Sequence, residues 1–124
     1  MKNILISCVG GMLTYDFIIS LKKSTKFKFK LIGIDSDQKA YNKVLCDKFY
    51  KSPKAKNKNT FYNFIKKIIK KNKIDFIFPL SDDENRFFFE YEKKFIKNFP
   101  KLKFPSKIQN IFLSKEKLYN FCAQ

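Results

Sequence analysis

Met1-Lys2-Asn3-Ile4-Leu5-Ile6-Ser7-Cys8-Val9-Gly10-Gly11 opens the chain, and its reading decides the fold. Ile4, Leu5, Ile6, Cys8 and Val9 form an apolar run without polar alternation. Such a run suits a strand buried on both faces at the centre of a parallel sheet. Gly10-Gly11 then predicts a turn into a helix. Glycines at this point allow a positive φ and bring bare N–H groups to the mouth of the helix, where its dipole favours an anion. The crevice beside Gly10 and Gly11 is therefore the first candidate site.

Working outward, Met12 to Lys23 carries Leu13, Phe17, Ile18 and Leu21 at helical spacing, which predicts a helix with one apolar stripe. Phe27 to Asp35 reads as a second strand, with Leu31, Ile32 and Ile34 inside. Strand, glycine turn, helix and a second strand ending in an acid make a right-handed βαβ unit. Asp35 at that strand end is placed to accept hydrogen bonds from a ribose or from a neighbouring loop. Ser36 to Val44 is a polar loop with a short helical turn, and Cys46 to Tyr50 a short third strand closed by Lys51-Ser52-Pro53. Lys54 to Thr60 has no apolar period and reads as an exposed connection. Phe61, Phe64, Ile65, Ile68 and Ile69 mark a second helix, with Asn59 or Thr60 as its cap.

The second informative stretch is Ile74-Asp75-Phe76-Ile77-Phe78-Pro79-Leu80-Ser81-Asp82-Asp83-Glu84. Phe76 to Phe78 reads as a buried, central strand that Pro79 stops. A third helix follows through Phe87, Phe88, Tyr91, Phe95 and Ile96. Ser81 or Asp82 can cap it, and acids in a first turn complement the dipole. Three consecutive acids exceed what capping requires. In a parallel sheet they share an edge with Gly10-Gly11, the edge at which open α/β sheets bind ligands. Phe87, Phe88 and Phe89 are consecutive, so at least one must lie off the core stripe. Leu102 to Phe104 suggests a fifth strand, and Ile108 to Leu113 a turn or crossing. Ser114 to Cys122 is a last helix in which the sequence stops at Gln124, and this predicts a chain that continues.

The chain's 124 residues suffice for one domain with its own core, and the 44% hydrophobic fraction fits a folded globule. A net charge of +16 would ordinarily point to nucleic acid or an anionic membrane. Of the 27 basic residues, however, only Arg86 is arginine, the residue that nucleic-acid interfaces use for bidentate and stacking contacts. Lysine excess accompanied by Asn, Ile, Phe and Tyr follows from AT-rich coding, so most of the charge reads as a solvated surface and nucleic acid is not the expected partner. Cys8, Cys46 and Cys122 lack metal-ligand spacing and the chain has no His. Reduced cytoplasmic thiols are expected, with Cys8 a small core residue rather than a nucleophile. The apolar stretch before Cys8 is too short for a signal peptide, and no transmembrane segment is predicted.

In its order of parts the chain resembles the N-terminal domain of the ATP-grasp superfamily, particularly the ligases similar to the carbamoyl phosphate synthetase large subunit. The resemblance is carried by Ile4 to Gly11, Ile32-Gly33-Ile34-Asp35, Cys46 to Tyr50 with Pro53, Ile74 to Glu84, Phe104-Pro105-Ser106, and Glu116-Lys117 where the family usually has Asp-Lys. It implies a three-layer, Rossmann-like α/β fold over residues 1–113. In it, an open, mainly parallel sheet of about five strands carries helices on both faces, and residues 114–124 begin a helix leading into an ATP-grasp domain. The implied role is the substrate side of an ATP-dependent carboxylate-amine or carbamoyl phosphate synthetase-like ligase, without catalysis by this part alone. The candidate substrate-binding set is Gly10, Gly11, Asp35, Ser81, Asp82, Asp83 and Glu84, facing a small carboxylate or amine. Lys117 is implied as a phosphate contact for ATP. ATP and Mg2+ belong mainly to the following domain, which is the expected partner; a homodimer is compatible with the sequence. No catalytic residue or metal site is assigned.

Two other classes compete. Gly10, Gly11 and Asp35 crudely imitate an NAD(P) fingerprint, but Met12, Leu13 and Thr14 follow, so the third glycine of G-x-G-x-x-G is missing. A basic module for RNA or acidic protein is the other class, and it predicts steeply salt-dependent binding.

Overall fold

A computed structural model describes residues 1–23 and 28–104 of the chain. The expected crossing at Ile108 to Leu113, the last helix from Ser114, Cys122 and Lys117 lie outside the described residues. Four strands, β1 (Lys2–Ile6), β2 (Phe29–Asp35), β3 (Lys48–Lys51) and β4 (Phe76–Phe78), form one sheet in the order β3-β2-β1-β4. All neighbouring pairs are parallel: Ile4 faces Leu31 on one side and Phe76 on the other, and Ile34 faces Tyr50. The helices are α1 (Met12–Lys23), α2 (Lys58–Asn72) and α3 (Asp82–Asn98), with a short 3-10 turn at Tyr41–Leu45.

Alternation along the strands produces the layers. Ile4, Ile6 and Leu31 point to one face and pack with Ile18 of α1. Leu5, Ile32, Ile34 and Ile77 point to the other and meet Phe61, Ile65 and Ile69 of α2 and Phe87, Phe88 and Phe95 of α3. β1 is thus buried on both sides, as its apolar run requires. The fold is the expected three-layer α/β arrangement with helices on both faces.

Several boundaries differ from expectation. Among the described residues the fifth strand is reduced to a single parallel bridge between Phe76 and Lys103, in which Lys103 N–H donates to the Asp75 carbonyl at 2.9 Å and Ile77 N–H to the Lys103 carbonyl at 3.1 Å; Phe76 and Phe78 are only half-buried. β4 is thus flanked on both sides, by β1 and by the segment at Lys103, but the outer partner is only one residue long. Helix α2 begins at Lys58, inside the lysine and asparagine run. Asn57 rather than Asn59 or Thr60 stands at its cap position, and it makes no side-chain capping bond. Polar residues in a first turn carry no apolar period, so this start was invisible to pattern. On α1, Leu13 is exposed while Thr14 is buried, because the Thr14 hydroxyl donates to the Cys8 carbonyl at 2.6 Å. Ile96 is likewise exposed on α3. Of the three consecutive phenylalanines, Phe87 and Phe88 are buried and Phe89 is exposed, as helical geometry demands.

Candidate functional site

Because every strand of the sheet runs the same way, the loops after β1, β2 and β3 and the start of α3 after β4 converge on one edge. The loop after β1 is held from several directions. Val9 N–H donates to the Ile34 carbonyl at 3.3 Å. Gly10 N–H donates to Asp35 Oδ2 at 2.8 Å. Gly11 N–H donates to the Cys8 carbonyl at 2.9 Å. Buried Asn42, from the 3-10 turn, donates through Nδ2 to the carbonyls of Val9 at 2.9 Å and Gly11 at 3.3 Å. Replacing Asn42 by Ala takes this donor from the Val9 carbonyl, while the Gly11 carbonyl keeps Thr14 N–H at 3.2 Å; the loss is expected to cost about 1–3 kcal/mol, read as a lower urea midpoint with unchanged slope.

This geometry corrects two expectations. The left-handed residue of the loop is Cys8, at φ 54°, and neither glycine has a positive φ. The glycines are there for space. A Cβ on Gly11 would stand 3.0 Å from Cys8 Sγ and 3.1 Å from its carbonyl oxygen, and one on Gly10 would stand 3.3 Å from Asp35 Oδ2. Nor are the two glycine N–H groups bare: both are spent inside the protein, one of them on a carboxylate. A phosphate approaching Gly10 would meet the charge of Asp35 rather than an open donor.

Asp35, at the end of β2, also accepts from Asp37 N–H through Oδ1 at 2.8 Å. Its two oxygens tie the loops after β1 and β2 together, while its carboxylate still borders a cleft of about 410 Å³. Cys8, Asp35, Asp83 and Glu84 supply the acidic and thiol part of the lining. Lys54 and Lys56 supply basic groups, and Ser36 and Ser52 polar ones. Ser81 caps α3, its Oγ accepting from Glu84 N–H at 3.4 Å. Ser7 anchors the same crossing, with its Oγ accepting from Leu80 N–H at 3.0 Å. These bonds fix where Asp83 and Glu84 enter the cleft.

Electrostatically the site is unusual for so basic a chain. Burial pushes the Glu84 carboxyl up from 4.5 to about 7, with the charges of Asp35 and Asp83 acting in the same direction and a bond to its own N–H opposing them. Burial pushes the Cys8 thiol up to about 11, and Glu84 and Asp35 add to this. A thiol so raised is protonated and poorly nucleophilic at neutral pH. Cys8 is a half-buried lining residue of the cleft, which corrects its expected place in the core. The arrangement gathers three carboxylates on a cleft whose lining also includes Lys54 and Lys56.

Of the expected site residues, Asp35, Asp83 and Glu84 meet at the cleft, and Gly10 and Gly11 build the loop behind it. Ser81 acts as the helix cap, and exposed Asp82 does not line the cleft. Lys117 lies outside the described residues. Sequence reasoning missed Lys54 and Lys56, read as part of an exposed connection. The short β3 and Pro53, which turn that connection back over the sheet edge, were their only signal. Among the described residues no group of His, Cys, Asp and Glu is arranged to hold a metal ion. Nor do the glycine N–H groups or the cleft's carboxylates fit the phosphates of ATP. No helix of the described residues is long and apolar enough to cross a membrane.

Comparison with known proteins bears on the family and the fold. The model of one family, described as "PylC-like, N-terminal domain", matches residues 4–99. A search of curated proteins found no match. Among solved structures, dTDP-glucose 4,6-dehydratase from Bacillus anthracis, determined in complex with NAD, is similar with a TM-score of 0.58 and 15% identity. The likeness covers 84% of this chain and 36% of that one, so the chain spans little more than a third of its length, and the shared property is the fold.

Proposed function

The chain belongs to the family of PylC-like N-terminal domains, a group found at the front of ATP-grasp ligases, and from that premise we propose that it forms the substrate side of an ATP-dependent carboxylate-amine ligase. Its cleft receives the amine-bearing substrate. The observation that carries this reading is the convergence of Asp35, Asp83 and Glu84 on one cleft in a chain of net charge +16. A protonated amine placed there gains charge-assisted hydrogen bonds and relieves the mutual repulsion of the carboxylates. Lys54 and Lys56 on the same cleft suit a carboxylate elsewhere on the substrate. Amide formation with an organic amine accounts for this charge pattern better than carbamoyl phosphate synthesis, which offers the acids no organic cation. ATP and Mg2+ belong to a following ATP-grasp domain, with Lys117 as the candidate contact from this chain. Exposed Met12, Leu13, Tyr41 and Val44, beside the glycine loop, give that domain an apolar surface to cover.

Calorimetric titration of the chain at pH 8 tests the reading, with 1,5-diaminopentane, pentanedioate and NAD as probes. The diamine should bind, and the double substitution Asp83→Asn with Glu84→Gln should weaken it at least tenfold. Preference for NAD, or a diamine affinity indifferent to the double substitution, would sink the amine-site reading.

A further inference from the structure

At the opposite edge of the sheet, the C-terminal ends of α2 and α3 and the entry to β4 enclose a second groove of about 480 Å³. Ile69, Ile74 and Leu102 give it an apolar floor, and Lys70, Lys73 and Lys101 stand exposed around it. Asp75, the acid on this groove, is already engaged, its Oδ2 accepting from Asn3 N–H at 2.8 Å. The three lysines form no ion pair among the described residues, where the pair found is Lys58 with Glu90. An apolar floor with uncompensated lysines calls for a ligand that brings both negative charge and a greasy anchor.

We infer that this groove docks an acidic protein segment that inserts an apolar side chain between α2 and α3, at a surface separate from the substrate cleft. The charge is complementary, and the anchor has a floor to bury against. RNA suits the surface less well. The aromatic rings near this edge are covered by lysines: Tyr62 lies under Lys66 and Lys94 at 5.1 and 4.7 Å, Tyr50 under Lys71 at 5.5 Å, and Phe76 under Lys103 at 6.0 Å. Among the described residues the most exposed aromatic side chains, Tyr15, Tyr41 and Phe89, lie on the first halves of α1 and α3 and on the 3-10 turn, away from the groove. The groove itself carries one ring, half-buried Phe99, beside Pro100, so successive bases, on whose stacking single-strand binding depends, would find one platform rather than a row of them.

The test uses fluorescein-labelled Glu-Glu-Leu-Glu-Glu-Leu-Glu-Glu, the same peptide with serine for leucine, and a ten-residue oligouridylate, measured by anisotropy from 50 to 300 mM salt. The leucine peptide should bind with affinity that falls as salt rises. It should lose at least tenfold with Lys70→Glu plus Lys101→Glu, and the serine peptide should bind at least threefold more weakly. Lys73 is left in place because it holds the left-handed cap of α2. Lys39→Glu plus Lys51→Glu, an equal charge change at the other edge, should keep affinity within twofold, and circular dichroism confirms folding of both variants. Equal losses in the two pairs, equal binding of the two peptides, or tighter binding of oligouridylate than of the leucine peptide would each overturn the proposal.

Discussion

Glu84→Gln is expected to stabilise the protein at pH 8.5 and to do so far less at pH 5. The folded carboxyl titrates near 7, against its ordinary 4.5. Between these values the folded state holds the proton that the unfolded state has released. Stability therefore falls as pH rises through that window, and the full penalty is present above 7. The gap corresponds to about 3 kcal/mol, which partial solvent access reduces to about 1–3 kcal/mol. Glutamine keeps the size of the side chain and removes the charge. At pH 8.5 thermal unfolding should move up by about 4–12 °C, and at pH 5 by about a quarter of that. Equal shifts at the two pH values would mean that packing, not ionisation, separates the proteins. A stabilising loss of charge in a cleft is what a site held ready for a cation produces, because function rather than folding retains the carboxylate.

Phe95→Ala should cost about 3–5 kcal/mol, most of the stability of a typical domain of this size. Phe95 is fully buried on α3, its ring centroid 5.0 Å from that of Tyr62, 5.7 Å from Phe88, and 6.1 Å from both Phe87 and Phe104. It joins α2, α3 and the segment after α3, so its removal leaves a cavity bordered by three elements that cannot all close on it. Phe89→Ala, six residues earlier on the same helix and 62% exposed, should change stability by less than about 0.5 kcal/mol. Urea unfolding of the two variants measures the contrast. Similar midpoints would contradict the assignment of the aromatic core to the face of α3 that carries Phe87, Phe88 and Phe95.

The α/β layering was legible because β1 is apolar without alternation and because the helices repeat their apolar residues at helical spacing. The meeting of Asp35, Asp83 and Glu84 at one cleft was legible for a topological reason: a parallel sheet brings all its strand ends to one edge. Strand order was not legible. Phe76-Ile77-Phe78 is as apolar as a fully covered strand, and only pairing shows that its outer neighbour shrinks to one bridge at Lys103. Loop chemistry was misread for a more local reason. Gly10-Gly11 suggested positive φ and open donors, whereas the glycines make room for Cys8 and Asp35, and Asp35 takes the Gly10 donor. Neither the Thr14 hydroxyl bond that buries its own position in place of Leu13 nor the approach of Lys54 and Lys56 to the cleft leaves a periodic trace.

The central claim is that the cleft receives a cationic amine beside Glu84. It is tested most directly by following the Glu84 side-chain carboxyl by carbon NMR across pH 5 to 9, with and without saturating 1,5-diaminopentane. A bound ammonium group favours the ionised carboxylate, so the account predicts a titration midpoint near 7 in the free protein that falls by about one unit or more on binding. A midpoint that the diamine leaves in place would contradict it.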